Sequence, residues 1–341
     1  MNSSFLFNFK STKINNIIDI KLPWVEKYRP KISEEIILDP FIKKKIDTIL
    51  ENKSIPNMII TGEPGTGKTS TIICLSKQLY NENTYKENVL ELNASDDRGL
   101  SIINNTIMPF CKKKTKDNII KLVILDEADS ITNKAQNLLS NIIAEYKNNT
   151  RFVFICNDCS QIIESIQSRC MIIKYNKISR YDLYNKIEYI CKNENIYYTS
   201  DAINELLFLS DYDIRQCINN LECIKFSNLQ FDENNIYKII DKPKSKYIEL
   251  ILTACLNHDL ETTLNIILEL FNKGYTSNDI LLTFMKCLME NQLTVDIEHE
   301  HILKIYEIIS LIYIRVNDGI DTLLQLSGCI SKIYLYLNKL Y

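Results

Sequence analysis

The stretch "MIITGEPGTGKTSTIICL", Met58 to Leu75, constrains the fold more than any other part of the chain. Only 7 glycines occur in 341 residues, yet Gly62, Gly65 and Gly67 fall within six positions, directly after an apolar run. Glycine is needed where backbone takes positive φ or passes very close to a ligand. The run Gly62, Glu63, Pro64, Gly65, Thr66, Gly67, Lys68, Thr69, followed by Ser70, fits the phosphate-loop pattern G-x-x-x-x-G-K-[ST]. Met58-Ile59-Ile60 reads as a buried strand before it, and Thr69 to Leu79 carries helical periodicity after it. Backbone N–H groups and the positive helix end would cradle phosphates there. Lys68 would reach the β- and γ-phosphates, and the Thr69 hydroxyl would ligate Mg²⁺. Glu63, an anion beside such a site, is expected to face solvent.

Four more apolar runs follow, Val89-Leu92, Leu122-Leu125, Phe152-Cys156 and Met171-Lys174, separated by helical patterns. Near-continuous apolar strands alternating with helices predict an α/β fold, a five-stranded parallel sheet covered on both faces. Ligands of such folds sit at the carboxyl ends of the strands, where the glycine loop lies. After Tyr175 the strand signal stops. Six of the 7 prolines occur by Pro109, and Pro243 stands in "DKPKSK", a polar break between helical stretches. This predicts an α/β domain over 22–175 after an extension at 1–21, a small helical lid over 176–241 and an all-helical domain over 245–341. Within the last, a helix is expected to stop at Gly274 and restart at Thr276-Ser277-Asn278-Asp279.

The length calls for two or three domains, and 45% hydrophobic with 24% charged residues is the composition of a globular protein. A net charge of −3 argues against a chain that binds nucleic acid by itself. The basic runs Lys43-Lys44-Lys45 and Lys112-Lys113-Lys114 read as solvated faces. Eleven cysteines without repeated spacing read as free thiols of a reducing compartment, and Cys156-Cys159 lacks a second pair for a zinc site. The N-terminus does not read as a signal peptide, and no apolar run is long enough to span a membrane.

"KLVILDEADS" supplies a partner for the loop. Asp126 emerges at the carboxyl end of a central strand, where it would hold the hydration shell of Mg²⁺. Glu127 is the candidate general base for an attacking water. Guanine recognition would favour N-K-x-D; the nearest match, Asn133-Lys134-Ala135-Gln136, lacks the aspartate, so ATP is expected.

The segments "LPWVEKYRP", "GEPGTGKT", "LELNASDDRG", "LDEADS", "TRFVFICN", "IQSRC" and "DIRQCINNLE" stand in the order and spacing of one family. From about Leu22 to the C-terminus the chain resembles the small subunits of replication factor C, the five-subunit AAA+ clamp loader of eukaryotic DNA replication. In the last third, "KGYTSNDIL" and "GIDTLLQLSGCISKIY" are most similar to the paralogue group numbered 2 in vertebrates and 4 in yeasts. The resemblance implies that Val25, Tyr28, Arg29 and Pro30 line an adenine pocket. It implies that Asn157 contacts the γ-phosphate or the attacking water, and that Arg215 reaches the nucleotide from the lid. Arg169 would act in trans, in the ATP site of a neighbouring subunit. The last helical domain would be the collar of a hetero-pentamer that binds the sliding clamp (proliferating cell nuclear antigen) and primer–template DNA in the nucleus.

Two departures from the family pattern stand out. Ser140 and Asn141 replace its usual Arg-Arg pair, and Leu38-Asp39 replaces a usual Gly-Asn. Two other functions stay open at this point: a non-hydrolysing subunit that only completes the ring, and a different AAA+ DNA-remodelling ATPase.

Overall fold

A computed structural model describes residues 22–95, 99–113, 119–227, 230–290 and 298–338. The N-terminal extension, the Asp96-Asp97-Arg98 part of "LELNASDDRG" and Lys114 lie outside the described residues. Strands β1 (Met58–Gly62), β2 (Val89–Asn93), β3 (Lys121–Asp126), β4 (Thr150–Cys156) and β5 (Met171–Tyr175) form one sheet in the order β2-β3-β4-β1-β5. Every pairing is parallel, so the five carboxyl ends share one edge.

The side-chain alternation of each strand feeds two cores. Ile59, Val123, Leu125, Phe152 and Phe154 face the helix Asn133–Glu145 and the helical segment Leu100–Lys112. Met58, Ile60, Leu122, Ile124, Val153 and Ile155 face the helices Pro40–Glu51 and Lys68–Leu79. Burial on both faces is why these strands read as unbroken apolar runs and not as alternating ones. Because β1 lies between β4 and β5, the loop Gly62–Gly67 leaves the sheet at the carboxyl ends of its strands, the edge where ligands of such sheets bind.

One buried charge belongs to this scaffold. Lys121, at the start of β3, is 1% exposed; its ammonium donates to the carbonyl oxygens of Phe110 (2.6 Å) and Lys113 and lies over the Phe110 ring. It thereby closes the carboxyl end of the helix Met108–Lys112, where free carbonyls favour a cation.

Beyond β5 the described chain is helical apart from one isolated bridge between Tyr198 and Phe231. Helices Arg180–Asn193, Ser200–Leu209 and Ile214–Phe226 begin at the caps Ser179, Thr199 and Asp213, each accepting a backbone N–H. Helices Ser245–Leu256, Leu260–Asn272, Ser277–Met289, His299–Asn317 and Leu323–Leu337 follow. Gly274, at φ 93°, turns the chain after Asn272, and Thr276 caps the helix that restarts at Ser277.

Packing departs from the expected boundaries in two respects. Trp24 and its short helix Trp24–Lys27 belong to the helical core and not to the sheet: the indole packs among the lid residues, and its backbone N–H donates to Glu222 at 3.1 Å. The two helical parts also share one continuous apolar cluster, from Leu183 through Phe284 to Ile333. A tryptophan is attracted to whichever apolar surface is nearest in space, and spacing along the chain does not specify which that is.

Trp24→Ala should lower the unfolding free energy by about 3 kcal/mol, as loss of a largely buried aromatic ring does. Denaturant titration measures this, and a loss below about 1 kcal/mol would show that the segment is not anchored through the indole.

Candidate active site

The loop after β1 is shaped by backbone demands that only glycine meets. Gly65 and Gly67 have φ of 77° and 86°, in the left-handed region. At Gly65 space is also closed: a Cβ there would lie 2.3 Å from Oδ1 of Asp213. Gly67 then caps the helix Lys68–Leu79, whose first N–H groups open toward the crevice.

Lys68 turns back into this loop. Its ammonium donates to the carbonyl oxygens of Gly62 (2.6 Å) and Glu63 (2.8 Å) and to Oδ1 of Asn157 (3.0 Å). Burial, and next the nearby Arg215 guanidinium, hold its pKa below the ordinary lysine value. Two cations therefore converge at a helix N-terminus. Among the described residues neither has a carboxylate at ion-pair distance. An anion is what such a place lacks.

The neighbouring strands bring the acidic side. The Thr69 hydroxyl donates to Oδ2 of Asp126 at 2.9 Å, so a hydroxyl and a carboxylate stand side by side at the end of β3. These are hard oxygen donors of the kind Mg²⁺ takes alongside water and phosphate. Glu127 follows in a left-handed conformation, φ 52°, with its side chain exposed at the crevice edge and its N–H bonded to Oδ1 of Asp126 at 2.9 Å. Positive φ in a non-glycine residue is uncommon and concentrates at functional sites. Asn157, just past β4, is held by its own backbone: its N–H donates to Asp129 at 3.0 Å and its carbonyl accepts from the Thr61 hydroxyl at 3.0 Å. Glu63 points outward and pairs with Lys177 at 3.0 Å, both side chains exposed.

A cavity of about 350 Å³ opens beside the loop, a size typical of small-molecule sites. Val25, Tyr28, Arg29 and Pro30 line one side, Gly65, Thr66, Gly67 and Ser70 the floor, and Arg215 the lid side. The hydroxyl of Tyr28 donates to Glu194 at 2.5 Å, and burial followed by that bond pushes its pKa above the usual tyrosine value. Pro30 is fixed through its carbonyl, which accepts from Cys74 Sγ at 3.2 Å. Pro64 is exposed at the loop's outer turn.

The apolar walls of the cavity carry no distinctive sequence pattern. Ile36, Ile37, Ile178, Ile214 and Ile218 line the cavity from three separate segments. The spacing of Ile214 and Ile218 on one helix face was the available signal. Leu38 and Asp39 do not line it: Leu38 packs under the sheet and Asp39 caps the helix Pro40–Glu51 by accepting from Phe41 at 2.9 Å.

Arg169 stands apart. It precedes β5, whose register with β1 pairs Met171 with Met58 and Tyr175 with Gly62. At about 3.3 Å per residue, it is separated from its own glycine loop by the length of the sheet, on the order of 15 Å or more. The side chain is exposed and its guanidinium donates to the Ser165 carbonyl. Gln136 holds this segment, donating to the carbonyls of Ile131 (3.0 Å) and Gln161 (2.9 Å) and accepting from Ile163 N–H at 2.8 Å. Ser140 faces the same segment, 3.5 Å from the Ser165 carbonyl, while Asn141 faces out.

The strand order, the glycine loop and the helical lid define a nucleotide-binding AAA-type fold. A family model described as "ATPase family associated with various cellular activities (AAA)" matches residues 58–177, and one described as "Replication factor C C-terminal domain" matches 243–332. Replication factor C subunit 4 of Saccharomyces cerevisiae is 36% identical over 96% of this chain and 100% of its own length. A probable replication factor C subunit 2 of Dictyostelium discoideum is 35% identical over 93% and 94%. The chain belongs to the replication factor C small-subunit family, and relatives named subunit 4 or 2 fit the paralogue group to which its C-terminal motifs point. Among solved structures, the RuvB Holliday junction branch migration motor of Thermotoga maritima superposes with TM-score 0.52 at 15% identity, over 67% of this chain and 78% of that one. That likeness is one of fold alone.

Gly65→Ala should destabilise the protein by about 1 kcal/mol or more through its positive φ, and weaken nucleotide binding because the added methyl displaces Asp213. Wild-type nucleotide affinity in this variant, measured by isothermal titration, would show that the lid does not rest on Gly65.

Proposed function

We propose that this chain is an ATPase subunit of a replication factor C clamp loader, a nuclear hetero-pentamer that binds ATP and Mg²⁺ to load the sliding clamp onto primer–template DNA. The observation that carries the nucleotide part is the convergence of Lys68 and Arg215 at the N-terminus of the helix Lys68–Leu79, beside the Thr69–Asp126 pair. Family membership carries the rest. Domains would follow the sheet through Tyr175, a lid to residue 241 and a collar from 245 that assembles the ring.

In the proposed site the loop amides and Lys68 bind the β- and γ-phosphates, and the base enters the cavity between Val25–Pro30 and the isoleucine walls. Thr69 and Asp126 would hold Mg²⁺, which would supply charge neutralisation to the phosphates. Glu127 accepts a proton from the water that attacks the γ-phosphorus, and Asn157 orients that water or the γ-phosphate. Lys68 and Arg215 then face the charge that develops on the transferred group and on the leaving oxygen. Arg169 cannot reach this site from the far edge of the same sheet, which supports its assignment to a neighbour's site. A subunit that only completed the ring would need Arg169 but none of Lys68, Thr69, Asp126 and Glu127.

Glu127→Gln keeps the shape of the side chain and removes the base. ATP should still bind, with turnover at this site lowered roughly 10²–10⁴-fold; unchanged single-site turnover in the reconstituted pentamer would move the base elsewhere. Arg169→Ala should leave this chain's own ATP affinity intact and lower hydrolysis at one neighbouring site by roughly 10³–10⁵. Full turnover in an intact pentamer, with assembly checked by size exclusion, would refute the trans assignment.

A further inference from the structure

The turn that delivers Arg215 to the site is held in a demanding conformation. The helix Ser200–Leu209 ends at Ser210, and the next two residues, Asp211 and Tyr212, have φ of 56° and 58°. Two consecutive non-glycine residues in the left-handed region persist only where surrounding contacts over-determine the backbone. Here those contacts come from the C-terminal helices and from Lys242, just before them. Asp211 pairs with Lys286, on the helix Ser277–Met289, and with Lys242 at 2.9 Å. The Tyr212 hydroxyl donates to Glu290, which caps the end of that same helix, at 2.6 Å.

The next residue faces the opposite way. Asp213 caps the helix Ile214–Phe226 by accepting from Arg215 N–H at 2.8 Å, and its carboxylate lies against the Cα of Gly65. Three successive residues thus run from the C-terminal helices to the phosphate loop. Any displacement of Tyr212 moves the first turn of the helix that carries Arg215.

We propose that Asp211 and Tyr212 are positioning residues for the nucleotide site: clamped by Lys286 and Glu290, they seat Asp213 on Gly65 and so set Arg215 over the phosphate loop. Neither touches the nucleotide; both act through Arg215. The proposal rests on the nucleotide reading above and extends it, because it makes nucleotide affinity depend on how the C-terminal helices sit against the lid.

The test is binding of N-methylanthraniloyl-ATP with Mg²⁺ to the full-length chain, followed by fluorescence, with thermal melts to check folding. Tyr212→Phe removes only the hydroxyl, and loss of a hydrogen bond to a charged acceptor should weaken binding by about tenfold or more. Glu290→Ala should do the same, and Glu290→Gln, which keeps an acceptor oxygen, should restore most of it. Tyr212→Gly adopts positive φ freely but has no tether, so it should bind as weakly as Tyr212→Phe. Arg215→Ala should weaken binding further, and Tyr212→Phe added to it should cost nothing more, since residues acting through one group are not additive. Wild-type affinity in Tyr212→Phe and Glu290→Ala, with Lys68→Ala and Arg215→Ala both weakened, would overturn the tether and leave the site standing. An additive double variant would reduce it to a general stability effect and overturn it equally. Wild-type affinity in Arg215→Ala would remove the group through which the tether acts, and with it the proposal. Wild-type affinity in Lys68→Ala would refute the nucleotide site itself.

Discussion

The ammonium of Lys68 is the point on which this structure turns. It is 8% exposed, and it donates to two carbonyls of its own loop and to one amide oxygen brought by β4. Burying such a charge is costly unless its hydrogen bonds are met. Meeting them requires the loop to fold back on itself, β4 to lie beside β1, and Asn157 to be braced from behind by Asp129 and Thr61. Carbonyls satisfy the geometry of the cation without neutralising it. The positive potential that remains, strengthened by Arg215, is what the loop can offer to a phosphate.

The site is divided between two bodies. The glycine loop, Asp126, Glu127 and Asn157 ride on the sheet, whereas Arg215 belongs to a helical core that also holds Trp24. Tyr28 is tied to that helical core through Glu194, while Pro30 is tied to the loop helix through Cys74. A bound nucleotide would therefore bridge lid and sheet, and its affinity would report their relative position. In the proposed ring a second division is added. Arg169 lies at the opposite edge of the sheet from the chain's own loop, so each subunit would present half of one site and the completing cation of another.

Much of the fold was legible because the physics that makes it is local. Strands buried on both faces must be apolar throughout, and each of the five runs lies in a strand. A loop that needs positive φ at several closely spaced positions must gather glycines, and Gly62, Gly65 and Gly67 are gathered there. Helix punctuation was readable at Gly274 and Thr276 for the same reason. Lys121 and Gln136 were not legible as structural polar residues: a lysine opening a strand and a glutamine in a helix look like surface positions until the carbonyls they satisfy are known. The isoleucine walls of the cavity were hidden in a chain rich in isoleucine, where one more apolar residue carries no signal.

The sequence by itself determined the segments on which the proposed chemistry rests: a glycine loop of phosphate-binding pattern, an Asp-Glu pair after a central strand, an asparagine after the next, and two arginines in recognisable settings. Each is a short segment whose residue types are fixed by backbone geometry or by charge, so each survives reading in one dimension. Tertiary structure alone decided how these segments share space. It placed Trp24 with the lid, turned Leu38 and Asp39 away from the cavity, set Arg169 a sheet's length from its own loop, and joined Asp211 and Tyr212 to Lys286 and Glu290. Those outcomes depend on which apolar surfaces and unsatisfied polar groups come to face each other once distant segments pack, and no local pattern specifies that.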